Sequence, residues 1–202
     1  GTFGSDKKIQ VEFVSANPTG PLHVGHGRGA AFGASLSNIL TAAGFSVSRE
    51  YYVNDAGRQM DILATSVWLR YLELNGQNIP FPSNGYQGEY VRDMAKLIYK
   101  AHGSNYVPQH EMLTSTVTSE IKEEGAAEIL LDQLISEAKN SLGQDYVYIH
   151  NFVLTEQLSD CRNDLMEFGV VFDEWFSELS LFENDAVSKV IASLKKNNFL
   201  YR

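Results

Sequence analysis

Residues 9 to 15 (IQVEFVS) are rich in β-branched and aromatic side chains, which predicts a strand. They run into Ala16-Asn17-Pro18-Thr19-Gly20-Pro21, a cluster of turn formers that ends it. Beyond the turn, Phe32, Leu36, Ile39, Leu40 and Ala43 recur at helical spacing, and Gly44 stands where a C-terminal glycine cap belongs. Residues 45 to 53 (FSVSREYYV) predict a second strand, and Met60, Leu63, Val67, Tyr71 and Leu74 a second helix that stops near Asn75-Gly76. Strand, helix, strand, helix in that order implies a parallel sheet. Ligands of such sheets collect at the carboxyl ends of the strands, so the loop after residue 15 is the expected site.

The pattern breaks at residues 76 to 90, where Gly76, Pro80, Pro82, Gly85 and Gly88 crowd together and an insertion is expected to begin. Helices are predicted over 90 to 102 and 109 to 141, the latter with Leu130, Leu131, Leu134, Ile135 and Ala138 on one apolar face. Leu154, Leu158, Cys161, Leu165 and Phe168 step by four, three, four and three, a helix that Gly169 would end. Residues 170 to 176 (VVFDEWF) read as a strand, and a last helix is expected to turn Val187, Val190, Ile191 and Leu194 inward. Its final turn carries Lys195 and Lys196, cations that suit the helix dipole. The fold class is α/β, and three strands are few for a doubly wound sheet, so the chain reads as part of a larger domain.

Chemistry concentrates at His23-Val24-Gly25-His26, which opens the first helix and is followed by Gly27, Arg28 and Gly29. A helix N-terminus offers unpaired N–H groups and a positive dipole end, both suited to phosphate. Imidazoles three residues apart fall on one side of the first turn, where each can donate to phosphoryl oxygens and favour a transition state for displacement at phosphorus. Gly25 allows an adenine ring to approach the backbone, and Gly27, Gly29, Ala30 and Gly33 are expected to let the helix lie close to the sheet. An isolated HxGH is explained as well by two capping histidines in a glycine-rich turn.

Its surroundings change the balance. The run from Val11 to Arg28, VEFVSANPTGPLHVGHGR, resembles the signature region of arginyl-tRNA synthetases, in which HVGH is the class I HIGH motif. Tyr51-Tyr52-Val53-Asn54-Asp55-Ala56-Gly57, Tyr86-Gln87-Gly88-Glu89-Tyr90 and Phe172-Asp173-Glu174-Trp175-Phe176-Ser177-Glu178 are similar to further segments of that family, in the same order. The resemblance implies the N-terminal half of a class I Rossmann-type catalytic domain that activates L-arginine with ATP, delivered with Mg2+, and transfers it to the 3′ end of tRNA(Arg). It divides the chain into a first Rossmann half with HVGH at 1–75, a mainly helical insertion at 76–150, a return to the sheet at 151–177, and the start of a second insertion at 178–202.

Carried over position by position, ATP falls on Pro18, Thr19, Gly20, Pro21, Leu22, His23, Val24, Gly25 and His26, with His23 and His26 as the catalytic pair. Arginine falls on Glu12, Ser15, Ala16, Asn17 and His26, with Asp55 a further candidate. A carboxylate at Glu12 suits a guanidinium, which carboxylates bind as a fork; its competing reading is a solvated edge-strand charge. Helix capping explains Asn54 and Asp55 about as well as substrate contact does. No KMSKS-type loop occurs, so the 202-residue chain alone is expected to be inactive.

Composition fits this picture. Sixteen Lys and Arg against 25 Asp and Glu give a net charge of −9, which offers no general basic field for RNA, so tRNA is expected to bind mostly through regions outside this chain. The single cysteine, Cys161, permits neither an internal disulfide nor a thiolate cluster; a buried thiol, a reducing cytoplasm and no structural zinc are expected. No apolar run approaches the roughly 18 residues of a membrane span. His102, His110 and His150 are expected at the surface, the acids from Glu120 to Glu128 on a solvated helix face, and Arg28 either on a phosphate or in a surface ion pair. Another HxGH nucleotidyltransferase and a noncatalytic synthetase-derived binding module remain as alternatives.

Overall fold

A computed structural model describes residues 1–108, 125–183 and 185–200. In chain order the elements are β1 (Lys8–Glu12), α1 (Val24–Ala42), β2 (Ser46–Val53), α2 (Arg58–Leu74), α3 (Glu89–His102), α4 (Ala126–Leu142), α5 (Gln144–Glu167), β3 (Glu174–Ser177), α6 (Leu179–Glu183) and α7 (Ala186–Lys196). The three strands form one parallel sheet in the order β1-β2-β3, with Lys8 paired to Ser46 at one end and Val53 paired to Ser177 at the other. Two compact units result, one from residues 1–56 and 160–202 and the other from 57–159.

In the first unit β2 is the central strand. Tyr51 is fully buried there and stacks on its register partner Trp175 of β3, with centroids 4.2 Å apart, while Phe172 meets both rings edge-on. Aromatic cross-strand pairs of this kind hold a short sheet. Arg162 lies over the other ring system of that cluster, 4.5 Å from the Trp175 centroid, and Cys161 is buried, as its lone thiol suggested. Asp173 clamps the start of β3 to β2: its carboxylate accepts from the Arg49 N–H at 2.8 Å and its own N–H donates to the Arg49 carbonyl at 3.0 Å.

Helix α1 reverses the expected amphipathy. Phe32 and Ile39 are 72% and 67% exposed and Leu36 is also exposed, whereas Ala30, Gly33 and Ser37 form the buried face. The reason is close approach to Phe13: a Cβ on Gly33 would stand 2.2 Å from the Phe13 ring. The Ser37 hydroxyl is buried without penalty because it donates back to the Gly33 carbonyl at 2.8 Å. Gly27 and Gly29 face open space, so the small residues that let the helix approach are Ala30 and Gly33 alone.

Strand β1 is shorter than expected. It ends at Glu12 because Val14 and Ser15 take left-handed backbone conformations, φ 66° and 43°, and turn the chain out of the sheet. The last helix also departs from expectation, with Val190 and Ile191 exposed and no buried residue on α7. Likewise α5 extends back to Gln144, and its buried line runs through Tyr146, Ile149, Val153, Gln157, Cys161 and Leu165, with Phe168 exposed.

The second unit packs around α2, whose residues Met60 to Leu72 are buried on nearly every side. Against it lie Val91, Met94, Ala95 and Ile98 of α3, Leu134 and Ala138 of α4, and Tyr146, Ile149 and Val153 of α5. Two of its buried aromatic side chains are satisfied locally: the Trp68 indole donates to the Tyr106 carbonyl at 3.0 Å, and the Tyr71 hydroxyl joins the Gly103 carbonyl at 2.6 Å to the Tyr106 N–H at 3.0 Å. His102 and His150 are half-buried rather than free at the surface; His102 lies 2.8 Å from the Tyr148 hydroxyl. Glu128 is exposed but bridged to Arg58 and Asn84; His110 and the residues from 109 to 124 lie outside the described residues. Among the described residues no helix is long and apolar enough to cross a membrane.

Candidate nucleotide site at the carboxyl ends of the strands

The bend at Val14-Ser15 sets the first wall of the site. A β-branched residue in the left-handed region costs on the order of 1–3 kcal/mol, and such strain persists only where neighbours over-determine it. Here they do: the Ser15 N–H donates to the Phe13 carbonyl at 3.0 Å, the Ser15 hydroxyl accepts from the Tyr52 N–H at 3.0 Å, and the Ala16 carbonyl accepts from the buried Tyr51 hydroxyl at 3.0 Å. Burial first, then the Cys161 thiol, pushes the Tyr51 hydroxyl far above its ordinary range, so it stays a donor. Ser15, Ala16 and Asn17 are thereby carried to the end of β2.

The second wall is the start of α1. His23 is its N-cap, and two reciprocal bonds close it: the Gly25 N–H donates to His23 Nδ1 at 3.1 Å, and the His23 N–H donates to His26 Nδ1 at 3.2 Å. The rings stack, centroids 3.7 Å apart. Because each Nδ1 accepts, each neutral ring carries its proton on Nε2. Burial, followed by the neighbouring His23 ring, holds the His26 imidazole below its ordinary value, which keeps that ring neutral near pH 7. Gly25 has a local reason to be glycine, since a Cβ would stand 2.9 Å from the His23 ring.

This arrangement modifies the expected donor set. The N–H groups of Gly25, His26 and Gly27 are already bonded, the last two to the His23 carbonyl at 2.9 and 3.1 Å. The two imidazole Nε2–H groups are therefore better placed to donate outward at this helix start than the N–H groups of Gly25, His26 and Gly27. Pro18 is buried, Thr19, Gly20 and Leu22 are half-buried, and Pro21, Val24 and Arg28 are exposed.

Three carboxylates gather where the strands end. Glu12 closes β1 as an exposed residue, so burial gives no reason for its charge and only its position at the strand terminus does. Asp55 follows β2 and is 8% exposed; its two oxygens accept from the Ser177 hydroxyl at 2.6 Å and the Leu179 N–H at 2.8 Å. It caps the short α6 rather than α2, the helix that follows it in sequence, a contact 124 residues distant that no local pattern announces. Glu178 follows β3. Between them stands Tyr52, whose hydroxyl is raised by burial and then by Glu178, Asp55 and Glu12. A separate concavity of about 500 Å³ lies around Lys8–Gln10 and Ser46–Ser48, at the opposite ends of β1 and β2 and without any of these groups.

A parallel sheet whose first strand turns through a bent loop into a helix capped by HxGH is the arrangement of a class I synthetase catalytic domain. The model of the family "tRNA synthetases class I (R), catalytic domain" matches residues 2–200. The chain belongs to that family. It is 66% identical over 201 residues to the arginine–tRNA ligase of Nitrosospira multiformis and 51% identical over 202 residues to that of Legionella pneumophila, in each case over 100% of this chain and 34% of the relative. The chain thus spans about a third of the length of these relatives. Among solved structures, a Campylobacter jejuni protein described as an arginyl tRNA synthetase superposes with a TM-score of 0.72 at 28% identity, over 97% of this chain and 36% of that one. The arginyl-tRNA synthetase of Thermus thermophilus shares the fold, with a TM-score of 0.52 at 19% identity, over 94% of this chain and 26% of that one.

Proposed function

We propose that the full-length protein is an arginine–tRNA ligase of the cytoplasm, which joins L-arginine to ATP as arginyl-adenylate and passes the arginyl group to the 3′ end of tRNA(Arg). The observation that carries this reading is the pair of stacked imidazoles, each with its Nδ1 used in a cap and its Nε2–H left to donate, at a helix start inside the family match of residues 2–200. Magnesium arrives with ATP as part of the substrate. His23 and His26 bind the phosphoryl oxygens as charge shifts during displacement by the arginine carboxylate, with Pro18 to Gly25 lining the nucleotide. Such a reaction depends on placement more than on acid or base chemistry.

Arginine lies across the strand ends in this reading. Ser15, Ala16 and Asn17 face its α-amino and carboxylate groups with His26, and Glu12 takes the guanidinium. Asp55 acts by fixing the loop, since both of its oxygens are engaged within the protein. Residues 1–75 and 151–177 build the Rossmann half and 76–150 and 178–202 belong to insertions. The test is ATP–pyrophosphate exchange by the full-length protein with tRNA(Arg), comparing L-arginine with other amino acids and pantoate-like acids. Exchange that depends on arginine is expected; exchange supported equally by another acid overturns the assignment.

A further inference from the structure

The three strand ends are joined by a line of side chains. Asn17 follows β1, Asn54 follows β2 and Glu178 follows β3, so the sheet order β1-β2-β3 sets them side by side. The Asn54 amide has one satisfactory orientation. Its nitrogen donates to the Ala56 carbonyl at 2.8 Å and to Glu178 Oε2 at 2.7 Å, and its oxygen then stands 3.1 Å from the Asn17 amide oxygen. Turned the other way, its oxygen would confront a carbonyl and a carboxylate, neither of which can donate. Glu178 is itself anchored, because its N–H donates to the Val53 carbonyl at 3.0 Å and the flanking Ser177 and Leu179 are held by Asp55.

We infer that Glu178, acting through Asn54, is a positioning residue that sets which end of the Asn17 amide is offered to the amino acid. Two amide oxygens repel at 3.1 Å, so the Asn17 amide turns together with that of Asn54, its NH2 then directed to Asn54 and its carbonyl oxygen to the opposite side. That oxygen accepts; it suits the α-ammonium group of arginine and not the carboxylate. A reversed Asn17 would present a donor to the ammonium, a repulsive contact. The inference rests on the reading of Asn17 as an arginine contact, and it adds a residue of β3, distant in sequence, that touches no substrate itself.

The test measures binding of L-arginine, of 5-guanidinopentanoate, which lacks the α-amino group, and of ATP to the full-length protein. Glu178→Ala is expected to weaken L-arginine by about 10-fold, the range of one charge-assisted hydrogen bond, while 5-guanidinopentanoate and ATP change by less than about 2-fold. Glu178→Gln, whose amide oxygen still accepts from Asn54, is expected to restore L-arginine to within about 3-fold. Equal weakening of both guanidinium ligands, loss of ATP along with them, or unaltered L-arginine binding in Glu178→Ala overturns the relay and leaves Glu178 a structural residue or a bystander. Failure of the unsubstituted protein to bind L-arginine overturns the functional reading itself, and this inference with it.

Discussion

Gly33→Ala tests whether the packing of α1 on Phe13 positions the site. The new Cβ would stand 2.2 Å from Phe13 Cγ, 2.3 Å from Cδ2 and 2.6 Å from Cβ. Ordinary carbon contacts begin near about 3.5 Å, so ring and helix must separate by about 1.3 Å, the difference of the two distances. The ring has little freedom to retreat, because Phe172 packs on it with centroids 4.5 Å apart. Overpacking of this kind costs about 1–3 kcal/mol, against a gain of up to about 1 kcal/mol for alanine over glycine in a helix. The net loss of about 1–2 kcal/mol corresponds to a 5- to 30-fold rise in the open population. Hydrogen exchange of the α1 amides in the full-length protein reads that opening locally. Gly29→Ala is the control, since its Cβ meets nothing within 4 Å and should slow exchange or leave it unchanged. Phe13→Leu in the Gly33→Ala background should recover part of the loss. A displacement near 1 Å at the His23–His26 turn should also lower exchange of pyrophosphate by about 10²-fold. Equal protection in the two glycine variants would refute the argument from close approach.

Other outcomes follow from the same geometry. Glu12→Gln in the full-length protein should raise the KM for arginine by one to two decades, about 1.5–3 kcal/mol, with ATP affinity retained; equal losses for both substrates would point to damage at the strand instead. His26 should titrate below 6.5 by NMR, its usual value. Because the folded value is the lower one, the neutral ring and its cap stabilise the start of α1 above about pH 6.5, and that contribution is lost as pH falls through the folded value, when Nδ1 takes a proton and can no longer accept from His23. A normal or raised His26 titration contradicts the cap. The 202-residue chain, which spans 34% of the length of the Nitrosospira multiformis relative, should give only background arginine-dependent exchange even with tRNA(Arg), whereas rates near those of the full-length protein would show that it suffices.

Much of the framework was legible in the chain, because strands β1 and β2 and helices α2 and α3 announce themselves by local periodicity and by glycine stops such as Gly76. The face of α1 was misread for a physical reason: apolar spacing marks a core helix only when large residues pack inward, and here Phe13 occupies that space, so glycine and alanine face in while Phe32 and Ile39 face out. The end of β1 was misread because valine at φ 66° violates its own preference, and the bonds that enforce the bend come from Tyr51 and Tyr52 on the neighbouring strand. HVGH was recognisable as a motif, but not that its Nδ1 atoms cap the helix. The roles of Asp55 and Glu178 depend on register between β2 and β3, whose sequence separation exceeds any local pattern.

The central claim is that His23 and His26 act on the transferring phosphoryl group. It is tested most directly by steady-state kinetics of arginine-dependent pyrophosphate exchange in the full-length protein with His23→Ala and with His26→Ala. Each substitution should lower kcat by about 10²- to 10³-fold while the KM for ATP changes far less, the mark of a contact strongest in the transition state. An effect confined to the KM for ATP, with kcat unchanged, would contradict the account.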